Sequence, residues 1–182
     1  LKYLIKHNHW SPFEMVSLTL EIETTRDISH QIVRHRSFSF QEFSQRYAEA
    51  NTYELRETRM QDPKNRQNSI KVNRRNPEEV RISESFNMAQ HKVIQLTREV
   101  YECALENGIA KEQARAVLPE GMTGTTLYMA GTLRSWIHYC RLRMANGTQE
   151  EHAEIAKRCW EIIGGHFPSV REAVDDLDDS NL

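Results

Sequence analysis

Apolar and polar side chains alternate one by one from residue 16 to 23, with Val16, Leu18, Leu20 and Ile22 set against Ser17, Thr19, Glu21 and Glu23. A period of two sends alternate side chains to opposite faces, so this stretch predicts a strand with one buried face. Upstream, Leu1, Leu4 and Ile5 fall at i, i+3 and i+4, the spacing of a helical turn. The chain opens in the middle of that pattern, on Leu rather than Met, so an N-terminally incomplete chain is expected. After the strand, Asp27 is placed to cap a helix running to about Arg36. Residues 37–47 lose helical spacing and predict a strand or loop carrying functional side chains.

From Asn51 to about Arg81 apolar anchors are few, and Pro63, Pro77 and many Arg and Asn interrupt the pattern. This reads as a polar surface excursion, with room for a short helix. Helical spacing then returns in Phe86, Ala89, Val93, Leu96, Val100 and Ala104, with Ser83 as cap and Asn107-Gly108 as stop. A short helix at about Lys111–Val117 must end before Pro119. Thr125–Gly131 predicts a second strand, leading into a helix at about Thr132–Met144 that Asn146-Gly147 terminates. Thr148 and Glu151 form a capping-box pattern opening a last helix. Ile155, Ala156, Cys159, Ile162 and Ile163 line one side of it, and Gly164-Gly165 ends it before Pro168. The acidic tail DDLDDSNL is expected to fray. Together these elements predict an α+β, helix-rich single domain over residues 1–182 with a small, mostly antiparallel sheet, the 51–81 excursion lying within it.

Composition narrows the function classes. A chain of 182 residues buries roughly 70% of its unfolded surface, enough to fold without disulfide or metal. The formal charge of -2 gives no global attraction to nucleic acid or a membrane surface. Three widely spaced cysteines, Cys103, Cys140 and Cys159, read as reduced thiols of a cytoplasmic protein. No apolar run has the length of a membrane span.

Chemistry-bearing side chains crowd between Gln31 and Arg46. On a helix Gln31, Arg34 and His35 share one face, being i, i+3 and i+4. An amide, a guanidinium and an imidazole together suit a planar hydrogen-bonding ligand bearing phosphate, because Arg offers a rigid fork of donors. The Ser residues that follow add hydroxyls, and Glu42 adds an acceptor for a ring N–H or a ribose hydroxyl. The competing reading is a solvated basic helix end, where Arg and His favour the C-terminal dipole.

The segment Arg34–Tyr47, RHRSFSFQEFSQRY, resembles the signature of flavin-dependent thymidylate synthases, R-H-R-x-x-S-x-N-x-x-S-x-R followed by Tyr. Arg34, His35, Arg36, Ser39, Ser44, Arg46 and Tyr47 match it. Gln41 stands where Asn is usual, keeping the amide on a longer stem. HNHWSPFE (His7–Glu14), ARAVLPEG (Ala114–Gly121) and LRSWIHYCRLR (Leu133–Arg143) resemble further segments of that family, and QEEHAEI a fourth, less faithfully.

The resemblance implies reductive methylation of dUMP to dTMP, with FAD as cofactor and NADPH and methylenetetrahydrofolate as co-substrates, in a homotetramer whose sites are shared between subunits. It implies that Ser11, Arg34, His35, Arg36, Glu42, Arg134 and His138 contact FAD, with the chain at Ser37, Thr132 and Leu133 nearby. Gln31, Arg34, Glu42, Phe43, Ser44, Gln45, Arg46, Arg115 and Arg143 are implied to surround dUMP. Arg143 is the implied activator of the pyrimidine, since a cation beside the ring stabilises developing negative charge. Ser44 has no base assigned to it and is expected to bind rather than attack. Arg134 and His138 are four apart and share a helical face, but Arg143 lies five further on, about 140° round the helix. It is expected either to sit on a distorted helix end or to serve a site built with another subunit.

Three rival classes find less support. A Cys-nucleophile mechanism would have to use thiols that sit within predicted helices as small hydrophobes. A metal-dependent hydrolase has only His7, His9, His30 and His35 to draw on, and one H-x-H is a weak ligand pattern, so no metal is expected. In a nucleic-acid-binding module, the Arg and Lys residues of 56–81 would need fewer interleaved acids and more aromatics. No G-x-G-x-x-G fingerprint is present, so the flavin must be held by Arg and His side chains and subunit contacts.

Overall fold

The computed structural model describes residues 1–179, in which seven α-helices and five strands occur in the order α1 (Lys2–Lys6), β1 (Ser17–Thr25), α2 (Arg26–Ile32), β2 (Ser39–Glu42), β3 (Arg59–Gln61), β4 (Ser69–Lys71), α3 (Pro77–Glu106), α4 (Lys111–Ala114), β5 (Gly124–Thr132), α5 (Leu133–Met144), α6 (Glu150–His166) and α7 (Pro168–Asp179). One-turn 3-10 helices lie at Ser11–Glu14 and Arg115–Val117. A three-stranded sheet has the order β1-β5-β2, and β3 and β4 form a separate antiparallel hairpin with Met60 opposite Ile70. The result is the expected helix-rich α+β class.

By its contacts the chain divides into two compact units. The first comprises Leu1–Ile22, Ile32–Gln41 and Tyr128–Leu182. Its core is apolar: Phe13, Met129, Trp136, Ile137, Ile163 and Val174 are buried, and Trp136 Nε1–H donates to the Leu18 carbonyl at 3.3 Å, so the indole is buried with its polar atom satisfied. Helix α5 packs on α6, α6 on α7, and α7 on α1. Phe38 packs directly over Gly131, where an added Cβ would run into its ring. That close approach fixes the turn carrying residues 35–37.

The second unit comprises Glu23–Gln31 and Glu42–Leu127. Its buried set is unusually polar, with Thr24, Thr25, Ser29, Gln45, Gln90, Thr97 and Thr123 beside Ile28, Ala114 and Leu127. Burying such groups is tolerable only with partners. Gln90 clamps the chain at Arg56 from both sides, accepting from its N–H at 2.8 Å and donating to its carbonyl at 3.1 Å. The Arg56 guanidinium in turn reaches Asp27 at 2.6 Å and the Thr25 hydroxyl. These bonds pin the start of the polar excursion to α3.

Several boundaries differ from the sequence expectation. Helix α2 stops at Ile32, and Asp27 lies inside it rather than capping it. The first N–H groups are met by loop carbonyls instead, Arg26 by Thr123 at 3.0 Å and Asp27 by Glu120 at 3.4 Å. Helix α3 starts six residues before Ser83, because Asn76 accepts from Glu78 N–H and Pro77 fits the first helical position. The excursion carries the β3–β4 hairpin rather than a short helix. The capping box does not form: Gln149 is the N-cap of α6 and makes no side-chain cap bond. Gly164 and Gly165 lie within α6, which continues to His166. The acidic tail begins inside α7, and Ser180–Leu182 lie outside the described residues.

The apolar stripe of α3 is real but faces outward. Phe86, Val93, Leu96 and Val100 are exposed, Leu96 by 62%, while Gln90, Thr97 and Tyr101 are buried.

Candidate active site

In the first unit, α5 is the organising element. Thr132 caps it, its hydroxyl accepting from Ser135 N–H at 3.3 Å, and Leu133 N–H donates to the Val16 carbonyl at 2.8 Å. Ser135 Oγ donates to the Ser37 carbonyl at 3.2 Å, so the chain at Ser37 is fastened to the start of the helix. In the first turn Arg134 pairs with Glu14, and one turn on His138 packs on Trp10 with ring centroids 4.5 Å apart. Both partners come from the residue 7–14 segment, whose 3-10 turn also carries the exposed Ser11. Burial, then the Arg134 and Arg141 charges, lower the His138 imidazole below its ordinary range.

Arg143 faces elsewhere. Its Nε donates to His35 Nε2 at 2.9 Å, although α5 is regular through Met144. The divergence of Arg143 from Arg134 and His138 is therefore met by two different neighbours, with no distortion of the helix. His35 packs edge-on against Tyr139, with centroids 4.9 Å apart and planes at 88°. Behind it His152 is fully buried, its Nε2 3.1 Å from the Tyr139 hydroxyl. Desolvation first, then Arg143, lowers His35, and the same causes with His35 added bring His152 down to about 4. Burial pushes the Tyr139 hydroxyl and the Cys140 thiol upward and the Cys159 thiol up to about 12, so these cysteines are not activated nucleophiles.

Gln31, Arg34 and His35 do not share a helical face, because α2 ends at Ile32. His35 N–H closes a turn onto the Ile32 carbonyl at 3.0 Å, which turns its ring toward α5. Arg34, Arg36 and Ser37 are exposed, and among the described residues neither arginine enters an ion pair.

In the second unit Glu42 accepts from Thr125 Oγ1 at 2.9 Å and lies 3.5 Å from Arg26. Half-buried Gln31 is the last residue but one of α2. Phe43 and Ser44 are exposed, and a tight turn at Ser44 takes Tyr47 and Ala48 N–H onto its carbonyl, each at 3.1 Å. Arg46 reaches Glu112 at 2.9 Å, and Arg115 Nε donates to the Glu112 carbonyl at 3.3 Å. Arg46 and Arg115, far apart in sequence, thus converge on one residue. Gln45 is buried, and its amide nitrogen has no hydrogen-bond partner. It lines a cavity of about 180 Å³ with Phe43, Glu49, Asn51, Thr52 and Thr125. A larger cavity of about 830 Å³, between Leu55, Arg56, Lys71, Arg74, Ser83 and Asn87, holds none of the expected site residues. Among the described residues no group of three or more His, Cys, Asp or Glu is poised to hold a metal ion.

Residues 1–169 match the family model described as thymidylate synthase complementing protein, Thy1. The chain belongs to the Thy1 family. It is 51% identical over 175 residues to the flavin-dependent thymidylate synthase of Synechocystis sp., covering 96% of this chain and 79% of that one. It is 49% identical over 176 residues to a probable flavin-dependent thymidylate synthase of Paramecium bursaria Chlorella virus 1, with the same coverage of 96% and 79%. Among solved structures, the UMP/dUMP methylase PolB from Streptomyces cacaoi bound with 5-Br UMP superposes with a TM-score of 0.80 at 26% identity, over 94% of this chain and 79% of that one.

The sequence alone did not single out several partners of the candidate residues. Trp10, Glu14 and Glu112 hold His138, Arg134 and Arg46, and Tyr139 and His152 stand behind His35. The signals were present. Tyr139 precedes Arg143 by four, and His152 falls on the stripe of Ala156, Cys159 and Ile163.

Proposed function

We propose that this chain methylates dUMP to dTMP as a flavin-dependent thymidylate synthase, with methylenetetrahydrofolate as carbon donor and FAD reduced by NADPH. The observation that carries the reading is identity of about half to synthases of this name over nearly the whole chain. The likeness to a methylase bound with a halogenated pyrimidine nucleotide supports the substrate class.

The donor set fits a dinucleotide flavin. Exposed Arg34 and Arg36 offer two guanidinium forks for a pyrophosphate, and the Trp10 and His138 rings, in contact at 59° to each other, offer aromatic surface beside Arg134. Ser11, Ser37, Thr132, Leu133 and Glu42 complete that set. Reduced FAD supplies the electrons that turn the transferred carbon into a methyl group. Arg46 and Arg115 bind the dUMP phosphate, replacing their contacts to Glu112 by charge-assisted bonds to the stronger anion. Gln31, Phe43, Ser44 and Gln45 surround the nucleotide, and Arg143 stabilises negative charge on the pyrimidine.

A homotetramer, working in the cytoplasm of a cell or of a virus's host, is part of the same proposal. Its support is the outward stripe of α3, where Ile82, Phe86, Val93, Leu96 and Val100 recur at spacings of three, four and seven. A second copy of the chain is the occupant the spacing suits.

The test is product formation. The flavin-loaded chain with dUMP, NADPH and methylenetetrahydrofolate should yield dTMP, separated chromatographically, and omission of any one component should abolish it. Undiminished product without added or bound flavin would overturn the proposal.

A further inference from the structure

A guanidinium carries hydrogen-bond donors only. The 2.9 Å contact from Arg143 Nε therefore requires a lone pair on His35 Nε2, which makes the ring neutral and places its proton on Nδ1. The ring is held from two further directions. Its chain is closed on both sides, His35 N–H onto Ile32 at 3.0 Å and Phe38 N–H onto the His35 carbonyl at 3.2 Å. Its edge meets the Tyr139 ring, whose hydroxyl is 3.1 Å from fully buried His152. An aliphatic side chain would fill the core at position 152 with no polar atom to satisfy, so a buried imidazole there breaks the local pattern.

We infer that His35 is a positioning residue, a neutral acceptor held on the Tyr139 ring that His152 anchors, which fixes the direction in which Arg143 presents its terminal nitrogens. Holding Nε in this way leaves the outer edge of the guanidinium for an acceptor on a planar ligand, such as a pyrimidine carbonyl oxygen on which negative charge develops. The inference rests on the proposed assignment of Arg143 to the pyrimidine, and it gives His35 a role beyond touching flavin. Arg143 and Tyr139 from α5 and His152 from α6 are the titratable groups facing the ring. Protonation of His35 would turn its acceptor into a donor pointed at Arg143 and release the guanidinium.

The contact is tested without any ligand, by long-range proton–nitrogen NMR of the histidine side chains in the full chain. The expected spectrum at pH 7.5 shows His35 neutral, with Nδ1 protonated and Nε2 bare. In Arg143→Met the ring should move toward a mixture of tautomers, and its titration midpoint should rise. A protonated Nε2 in the unsubstituted chain, or an unchanged spectrum in Arg143→Met, would overturn the inference. Turnover adds a second arm. His35→Gln keeps an oxygen acceptor and should retain kcat within about tenfold, whereas His35→Leu should lose roughly a hundredfold at equal flavin content. Equal losses in the two variants, or loss of flavin from both, would assign His35 to direct contact instead. If the unsubstituted chain makes no dTMP, the functional reading fails while the NMR result still decides the contact.

Discussion

Charge at the expected site is managed residue by residue. The cluster of His35, His152, Arg143 and Tyr139 contains three basic groups, yet desolvation and mutual repulsion leave Arg143 as its one cation near neutral pH. For His152 the consequence has a definite sign. Above its ordinary value of 6.5 the ring is neutral whether folded or unfolded, and this group subtracts nothing from stability. Between 6.5 and about 4 the unfolded chain binds a proton that the folded chain refuses, so stability falls as pH falls. The loss is on the order of 3 kcal/mol and is complete below the lower value. Urea unfolding at pH 7.5 and 4.5 should show a smaller difference in His152→Leu than in the unsubstituted chain; an identical difference would contradict the assignment. Arg115→Ala should raise KM for dUMP by roughly ten- to a hundredfold with little change in kcat, the expectation for one charge-assisted phosphate contact. Steady-state kinetics at matched flavin content measures it, and a fall in kcat with unchanged KM would remove Arg115 from the phosphate. The residue types and their chain order were legible in the sequence. Their partners were not, because Glu14, Glu112 and His152 become neighbours of the motif residues only through tertiary packing.

At the scale of elements, period and caps were legible where the residue in question controlled the boundary. Thr132 caps α5 and Asn107-Gly108 follows α3, as their types predict. Where a loop from elsewhere met the helix end, the local signal misled. Asp27 looked like a cap, but the Pro119–Thr123 turn supplies the acceptors and leaves its carboxylate to Arg56. The α3 stripe was legible as a stripe but not in its direction, because period alone does not say whether an apolar face meets its own chain or another. The burial of Gln90 and Thr97, each four residues on from Phe86 and Val93, shows that the single chain covers the flank beside the stripe and not the stripe itself. Leu96→Glu, within the exposed stripe, should convert the proposed homotetramer to smaller species without unfolding them, because the side chain is already exposed in the single chain. Sedimentation together with circular dichroism reads both outcomes. An unchanged sedimentation coefficient would move the subunit contact away from α3.

For the whole molecule, family membership rests on the match across residues 1–169, and the functional reading joins that match to the side chains described above. The fold class was legible from two strands and six helical patterns. The β3–β4 hairpin was not, since its strands are three residues each and carry little apolar content. The candidate residues were named through the Arg34–Tyr47 segment, and their neighbours only by the structure. The central claim is that the chain activates C5 of dUMP and replaces its hydrogen by a methyl group. Release of tritium to water from 5-tritiated dUMP, measured anaerobically with NADPH and methylenetetrahydrofolate present, tests this most directly. The account predicts release that requires flavin and falls sharply in Arg143→Met. No release from the flavin-loaded chain would contradict it.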